Sequence, residues 1–172
     1  MASYVLPLSR LKIALADTVE NGIAPHYRFP VNSQETHGIF GFDTSPTVKQ
    51  MRDKLIEQTG IPFNHAVVLL YRDGNDCIGF HKDKTMDLSG DSPIASISLG
   101  QERSYVLRDN IHNPTISQKC KLNHGGLLLL GPKTNNEFYH SVPAEEDVHG
   151  SRISVTFRVV ATFKNVKTGE LS

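Results

Sequence analysis

Two hydrophobic rhythms run along the chain. Between Ser45 and Gly60, Val48, Met51, Leu55 and Ile56 recur at helical spacing; Ser45 stands at an N-cap position, Pro46 suits the first turn and Gly60 ends the pattern. This predicts a helix over 45–60. Residues 11–19 read as a second amphipathic helix, and 22–43, rich in Gly, Pro, Asn and His, as loop or short irregular strands. After Asn64 the period shortens to two. Strands are expected over 66–71, 78–81, 93–99, 104–108, 117–122, 126–130, 138–142 and 152–163, with gaps too short for crossover helices. About eight short strands in succession predict a mainly β fold with flanking helices, its core a double-stranded β-helix, or jelly roll. A single domain over 1–172 is expected, with a helical and loop N-terminal support and lid over 1–62 and the jelly-roll core over 63–163.

The last strand carries the sharpest pattern. Strand side chains point alternately to opposite faces, so Arg152, Ser154, Thr156 and Arg158 share one face and Ile153, Val155, Phe157 and Val159 the other. Turned outward, the polar face is an ordinary solvated surface. Turned inward, it buries two guanidinium groups, which then need anionic partners because unpaired buried charge is very costly.

Composition narrows the class. Of 172 residues, 38% are hydrophobic and 21% charged, the balance of a globular protein. The 18 Lys and Arg offset 18 Asp and Glu, so no overall field draws the chain to nucleic acid or anionic membrane, although a local basic patch can exist. Arg10 and Lys12 interrupt the apolar N-terminal residues, and neither a signal peptide nor a membrane partner is expected. Cys77 and Cys120 lack metal-finger spacing and are too few for a disulfide scaffold, which fits a reducing compartment such as cytoplasm or nucleus. The expected state is a monomer.

Candidate chemistry lies in the β region. His81 and Asp83, two apart on an extended segment, project to one side and can share a metal ion. Among eight histidines such a pair alone is weak evidence. His140, in Phe138-Tyr-His-Ser-Val-Pro143, is the best third ligand, and Arg152 follows twelve residues later. Two imidazoles and one carboxylate on one face of the ion, with open positions left for cosubstrate and oxygen, are the ligand set of non-haem Fe(II) oxygenases. The whole order is more specific than any of its parts. The remaining histidines have no comparable partners and read as surface or structural, with His65 and His124 as candidate exceptions.

Over about residues 63–160 the chain resembles the AlkB family of 2-oxoglutarate- and Fe(II)-dependent dioxygenases. The likeness rests on Phe63-Asn64, Tyr71-Arg-Asp-Gly74, Ile78-Gly-Phe-His81-Lys-Asp83, Ser92-Pro-Ile-Ala-Ser-Ile-Ser-Leu-Gly100, Pro132-Lys-Thr-Asn135, Tyr139-His-Ser-Val-Pro143 and Arg152-Ile-Ser-Val-Thr-Phe-Arg158. It implies that His81, Asp83 and His140 hold iron, and that Tyr71, Arg152 and Arg158 hold the two carboxylates of 2-oxoglutarate, which supplies the anions the arginines require. Thr156, on the same face, could add a hydroxyl. The implied reaction couples O2 and the decarboxylation of 2-oxoglutarate to hydroxylation of a substrate C–H bond; on an N-methylated base in DNA or RNA the hydroxylated carbon leaves as formaldehyde.

Some positions depart from the family. Leu69 and Ser154 stand where it usually or often has Asn, and Lys84, Thr85 and Met86 where its DNA-repair members carry acidic residues facing the base, which makes Lys84 a candidate substrate contact. The segment before the core is shorter than the family's nucleic-acid lid. Its Ile39, Phe40 and Phe42 either cover the pocket and stack on a base or belong to the core. Two alternatives stay open: a hydroxylase on the same scaffold acting on a protein side chain or small metabolite, and a non-catalytic binding module.

Overall fold

The computed structural model describes residues 11–17, 22–28, 39–109 and 116–171. Among them the order is β1 (Leu11–Ala16), β2 (Ile23–Pro25), β3 (Ile39–Gly41), α1 (Pro46–Thr59), β4 (His65–Tyr71), β5 (Ile78–His81), β6 (Ile94–Gly100), β7 (Arg103–Arg108), β8 (Ile116–Leu122), β9 (Leu127–Leu130), α2 (Pro132–Glu137), β10 (Tyr139–Val142), β11 (Arg152–Arg158) and β12 (Phe163–Asn165). A six-stranded sheet, β3-β1-β4-β11-β6-β9, faces a four-stranded sheet, β5-β10-β7-β8, and β12 pairs with β2 in a separate ribbon. This is a jelly-roll core. Nearly all pairing is antiparallel; β1 with β3 is parallel.

Each face of the large sheet has its own job. The outer face packs Leu15, Ala66, Ala95, Val155 and Phe157 against Val48 and Leu55 of α1, with Phe42 and Phe63 completing the layer. Helix α1 forms where its spacing predicts, Pro46 in the first turn and Gly60 at the end with a positive φ of 70°. The inner face joins the small sheet through Leu69, Tyr71 and Leu128 on one side and Ile78, Tyr105, Leu107, Leu122 and Val142 on the other. Strand β11 lies between β4 and β6 and pairs with β4 along its whole length, so its two faces serve these two layers.

Three local expectations are corrected. Residues 11–16 of the expected helix form β1, paired with β4 from Leu11↔Leu70 to Ala16↔His65; residues 18 and 19 lie outside the described residues. A short apolar run satisfies either period, and the open edge of β4 decides for the strand. The polar stretch 133–137, between two expected strands, reads as a loop but is helical, within α2; a turn and a half is too short to show a period. The expected strand over 152–163 breaks after Arg158: Val160 makes an isolated bridge to Leu88, and Phe163 begins β12. Within 22–43, residues 23–25 and 39–41 take the short-strand alternative, and 29–38 lie outside the described residues.

Candidate metal and carboxylate site

His81 ends β5, Asp83 follows two residues later, and His140 on β10 pairs directly with His81. One donor atom from each of the three lies within 4.8 Å of the others. The imidazole centroids are 4.2 Å apart, and His81 Nε2 is 3.7 Å from Asp83 Oδ1. Contact of His81 Nδ1 with the Gly79 carbonyl at 2.9 Å orients that ring and leaves Nε2 facing the cluster. His140 stacks on Tyr105, 5.7 Å between centroids, and its Nδ1 is buried with no hydrogen-bond partner. Burial pulls its pKa down to about 4, so the ring is neutral at pH 7 and able to donate a lone pair.

Asp83 is held from both sides. Its amide donates to Asn135 Oδ1 and its carbonyl accepts from Asn135 Nδ2, both at 2.9 Å, which fixes the peptide against α2. The carboxylate accepts a 2.7 Å charge-assisted bond from Arg158 Nη2. Burial pushes this carboxyl up, but the Arg158 guanidinium outweighs it and holds the group below the usual carboxylate range. The Arg158 guanidinium also lies 4.6 Å from the Tyr27 ring centre, and its Nε has no partner. Burial raises the Tyr27 phenol to about 12, so it stays protonated.

The polar face of β11 looks inward. Arg152, Ser154, Thr156 and Arg158 line a cavity of about 110 Å³ between the sheets, together with Tyr71, Leu69, Ser96 and the three candidate ligands His81, Asp83 and His140. This is room for several waters or a small organic acid. Arg152 Nη2 donates to Ser98 Oγ at 2.8 Å and to Ser154 Oγ at 3.2 Å; Ser96 Oγ then meets the hydroxyls of Ser154 and Thr156 at 3.2 Å each. Tyr71, the direct pair of Arg152 across β4 and β11, places its ring 5.0 Å from that guanidinium. Yet Arg152 is 2% exposed, and its Nε and Nη1 meet no acceptor.

Arg103 provides the control. It is 0% exposed, but its donors reach Glu145 Oε2 and the carbonyls of Asp73, Gly74, Asp76 and Pro143 at 2.7–3.2 Å. That arginine is structural, tying the 73–76 turn to the 143–145 segment. Arg152 has equal burial and only hydroxyl partners. An anion is what its surroundings lack, and a dicarboxylate beside a His-Asp-His cluster fits both observations.

The expected substrate residues sit apart from the cavity lining. Phe42 takes the core alternative, buried with the Arg52 guanidinium 4.4 Å from its ring centre, whereas Phe40 on β3 is 47% exposed and Lys84 half-buried. Sequence reasoning missed Lys12, Tyr27, Ser96 and Tyr105, which line the cavity, and the role of Asn135. Lys12 pairs with Leu69 across β1 and β4, so a cation stands beside the position where the family usually has Asn. Alternation in β6 and β7 could have signalled Ser96 and Tyr105. Nothing local marks Tyr27, which the β2–β12 ribbon delivers.

A jelly roll with two imidazoles, a carboxylate and a buried arginine face in one lumen defines the class of 2-oxoglutarate-dependent metal oxygenases. The family model described as "2OG-Fe(II) oxygenase superfamily" matches residues 15–158. The chain is 36% identical over 125 residues to the DNA oxidative demethylase ALKBH2 of Mus musculus, covering 69% of this chain and 52% of that protein, and 35% identical to its Homo sapiens counterpart, covering 69% and 48%. It is 30% identical to the human alpha-ketoglutarate-dependent dioxygenase alkB homolog 3, covering 67% and 43%. This protein belongs to the AlkB family of that superfamily. It spans about half the length of the curated relatives it matches. Among the described residues, no helix is long and apolar enough to cross a membrane.

Proposed function

We propose that this chain is an Fe(II)- and 2-oxoglutarate-dependent dioxygenase that removes alkyl groups from bases in nucleic acid, acting as a monomer within a single domain. The observation that carries the reading is Arg152: a deeply buried cation with two unpaired nitrogens, in the same lumen as the His81, Asp83 and His140 cluster. When bound, Fe(II) with 2-oxoglutarate and O2 supplies the oxidising chemistry that turns a substrate C–H into C–OH, with succinate and CO2 as coproducts.

The residues divide the remaining work. His81, Asp83 and His140 supply the three donors, and Asn135 keeps Asp83 in place by gripping its peptide. Arg152, with Tyr71 beside it, takes one carboxylate of the cosubstrate, and the hydroxyl ladder of Ser154, Ser96 and Thr156 lines the lumen from there toward Arg158. Arg158 keeps Asp83 ionised and offers its unpaired Nε to the second carboxylate. Leu69, Ile94, Leu128, Leu130 and Val142 exclude water from the lumen. A base hydroxylated on its N-methyl carbon then loses that carbon as formaldehyde when the C–N bond breaks.

The curated relatives named as DNA demethylases support a nucleic-acid substrate. The test incubates the purified chain with Fe(II), ascorbate and 2-oxoglutarate and measures succinate and formaldehyde, with and without oligonucleotides carrying N-methylated bases. Both products should rise with the methylated strand. Succinate that no methylated DNA or RNA stimulates would move the substrate to a protein or metabolite, and no succinate at all would refute the enzyme.

A further inference from the structure

The face of the four-stranded sheet turned away from the lumen buries Ser104, Val106 and Ser141 but leaves two cation–aromatic pairs half-exposed at the end nearer the histidines. The Arg108 guanidinium lies 3.6 Å from the Phe80 ring centre, and the Lys82 ammonium 4.8 Å from that of Tyr139. Register explains their place. His140 pairs with His81 and with Leu107, and all three turn inward; Tyr139, which pairs with Arg108, and their other sequence neighbours, Phe80 and Lys82, therefore turn outward. Lys119 of β8, opposite Val106 and exposed, extends the same face.

Charge on this face is one-sided. None of the four strands contains Asp or Glu, while they carry Arg103, Arg108, Lys119 and Lys121. Arg103 is engaged by Glu145 and Lys121 by Glu102 and Glu145, which leaves Arg108 and Lys119 on the strands; just beyond the strand ends Lys82 adds a cation, and the exposed Asp109 and Glu137 add carboxylates at the rim. Lys82 also donates to the Asn136 carbonyl, which fixes its position. Arg108 Nε is buried with no hydrogen-bond partner, so the terminal guanidinium nitrogens are what this residue can present. In a chain of zero net charge, this is a basic and aromatic strip that begins at the metal-site histidines and crosses four strands, about 14 Å at the usual strand spacing.

We propose that this strip binds a single strand of nucleic acid and leads it over the sheet edge toward His81 and His140; the inference rests on the demethylase reading above. Bases stack on aromatic rings and on guanidinium planes whatever their sequence, and the intervening cations meet phosphates. Duplex recognition asks for an element that enters a groove, and among the described residues this face offers half-buried rings rather than such an element. The strip's length suits a few nucleotides.

The experiment measures fluorescence anisotropy of a labelled twelve-nucleotide single-stranded DNA carrying one 1-methyladenine, and of its blunt duplex, with the full chain holding Fe(II) and 2-oxoglutarate under nitrogen. Arg108→Ala should weaken single-strand binding about ten-fold, within the range for one stacked base. Lys119→Glu, at an exposed site where folding is not at risk, should weaken it and lower the salt slope by about one. Unchanged affinity in both variants, no binding by the wild type, equal affinity for the duplex, or displacement by an equally charged polyglutamate peptide would each overturn the proposal. The two readings fail separately. Binding lost in the variants while the wild type releases no formaldehyde sinks the demethylase and keeps the strip; formaldehyde release with unaltered binding does the reverse.

Discussion

Replacing Arg152 with Met should make the protein more stable in the absence of cosubstrate and deaf to its addition. Burial disfavours the Arg152 cation, whose pKa is lowered, and the ring of Tyr71 and two hydroxyls offset this only in part. Hydrophobic replacement of a poorly compensated buried charge gains about 1–4 kcal/mol, and losing the contact with Tyr71 returns about 0.5–2 kcal/mol. Ser154 keeps a hydroxyl partner in Ser96 after the change, and Ser98→Ala, made alongside Arg152→Met, removes the buried hydroxyl that would otherwise lose its partner, so no new orphan is created. A net gain of about 1–2 kcal/mol corresponds to a Tm rise of about 2–8 °C for a chain of this size. The wild type with 2-oxoglutarate at a hundred times its Kd should gain about 2.7 kcal/mol, or roughly 5–10 °C. Calorimetric scans of both proteins, with Mn(II) in place of Fe(II) to avoid oxidation, give all four values. A protein carrying Arg152→Met and Ser98→Ala that is less stable than wild type without ligand, and still stabilised by 2-oxoglutarate, would refute the assignment of Arg152 as a carboxylate anchor.

Three further outcomes follow from the same contacts. Asp83→Asn removes the anion from buried Arg158 and should cost about 3–5 kcal/mol in urea unfolding as well as abolishing the Mn(II)-dependent rise in Tm; retention of either would contradict the ion pair's role. Partial burial raises the Glu145 carboxyl, but the amide and hydroxyl of Ser104 and the guanidinium of Arg103 lower it from 4.5 to about 2. A depressed folded-state pKa stabilises fully above 4.5 and progressively less as pH falls through about 2, so the gap of about 3 kcal/mol between wild type and Glu145→Gln should shrink across that window, and a gap constant down to pH 2.5 would refute it. Gly74→Ala would drive a methyl into the carbonyls of Glu145 and Val148, and should cost about 1–3 kcal/mol and weaken 2-oxoglutarate binding through the turn that follows Tyr71; wild-type stability would show that the close approach relaxes freely.

Much of the site was legible because its signals are local. His81 and Asp83 share a side for the same reason that Arg152 to Arg158 share a face: extended backbone repeats every two residues. Helix α1 was legible through its spacing, its Pro46 and its Gly60. Segments too short for a period were not, and β1 took its form from the open edge of β4 while α2 took it from Pro132 and a turn and a half of chain.

The sequence alone determined which residues stand on the polar face of β11, which three could share a metal, and that two arginines there would want anions if buried. Only the tertiary structure decided that the face turns inward, that Asn135 grips the Asp83 peptide, and that the β2–β12 ribbon lays Tyr27 on Arg158. It alone separated Arg103, whose donors are spent on carbonyls and Glu145, from Arg152, whose Nε and Nη1 await an acceptor. The reason is physical: periodicity fixes where a side chain points, but its charge acquires a role from the partners that distant strands bring within hydrogen-bond reach.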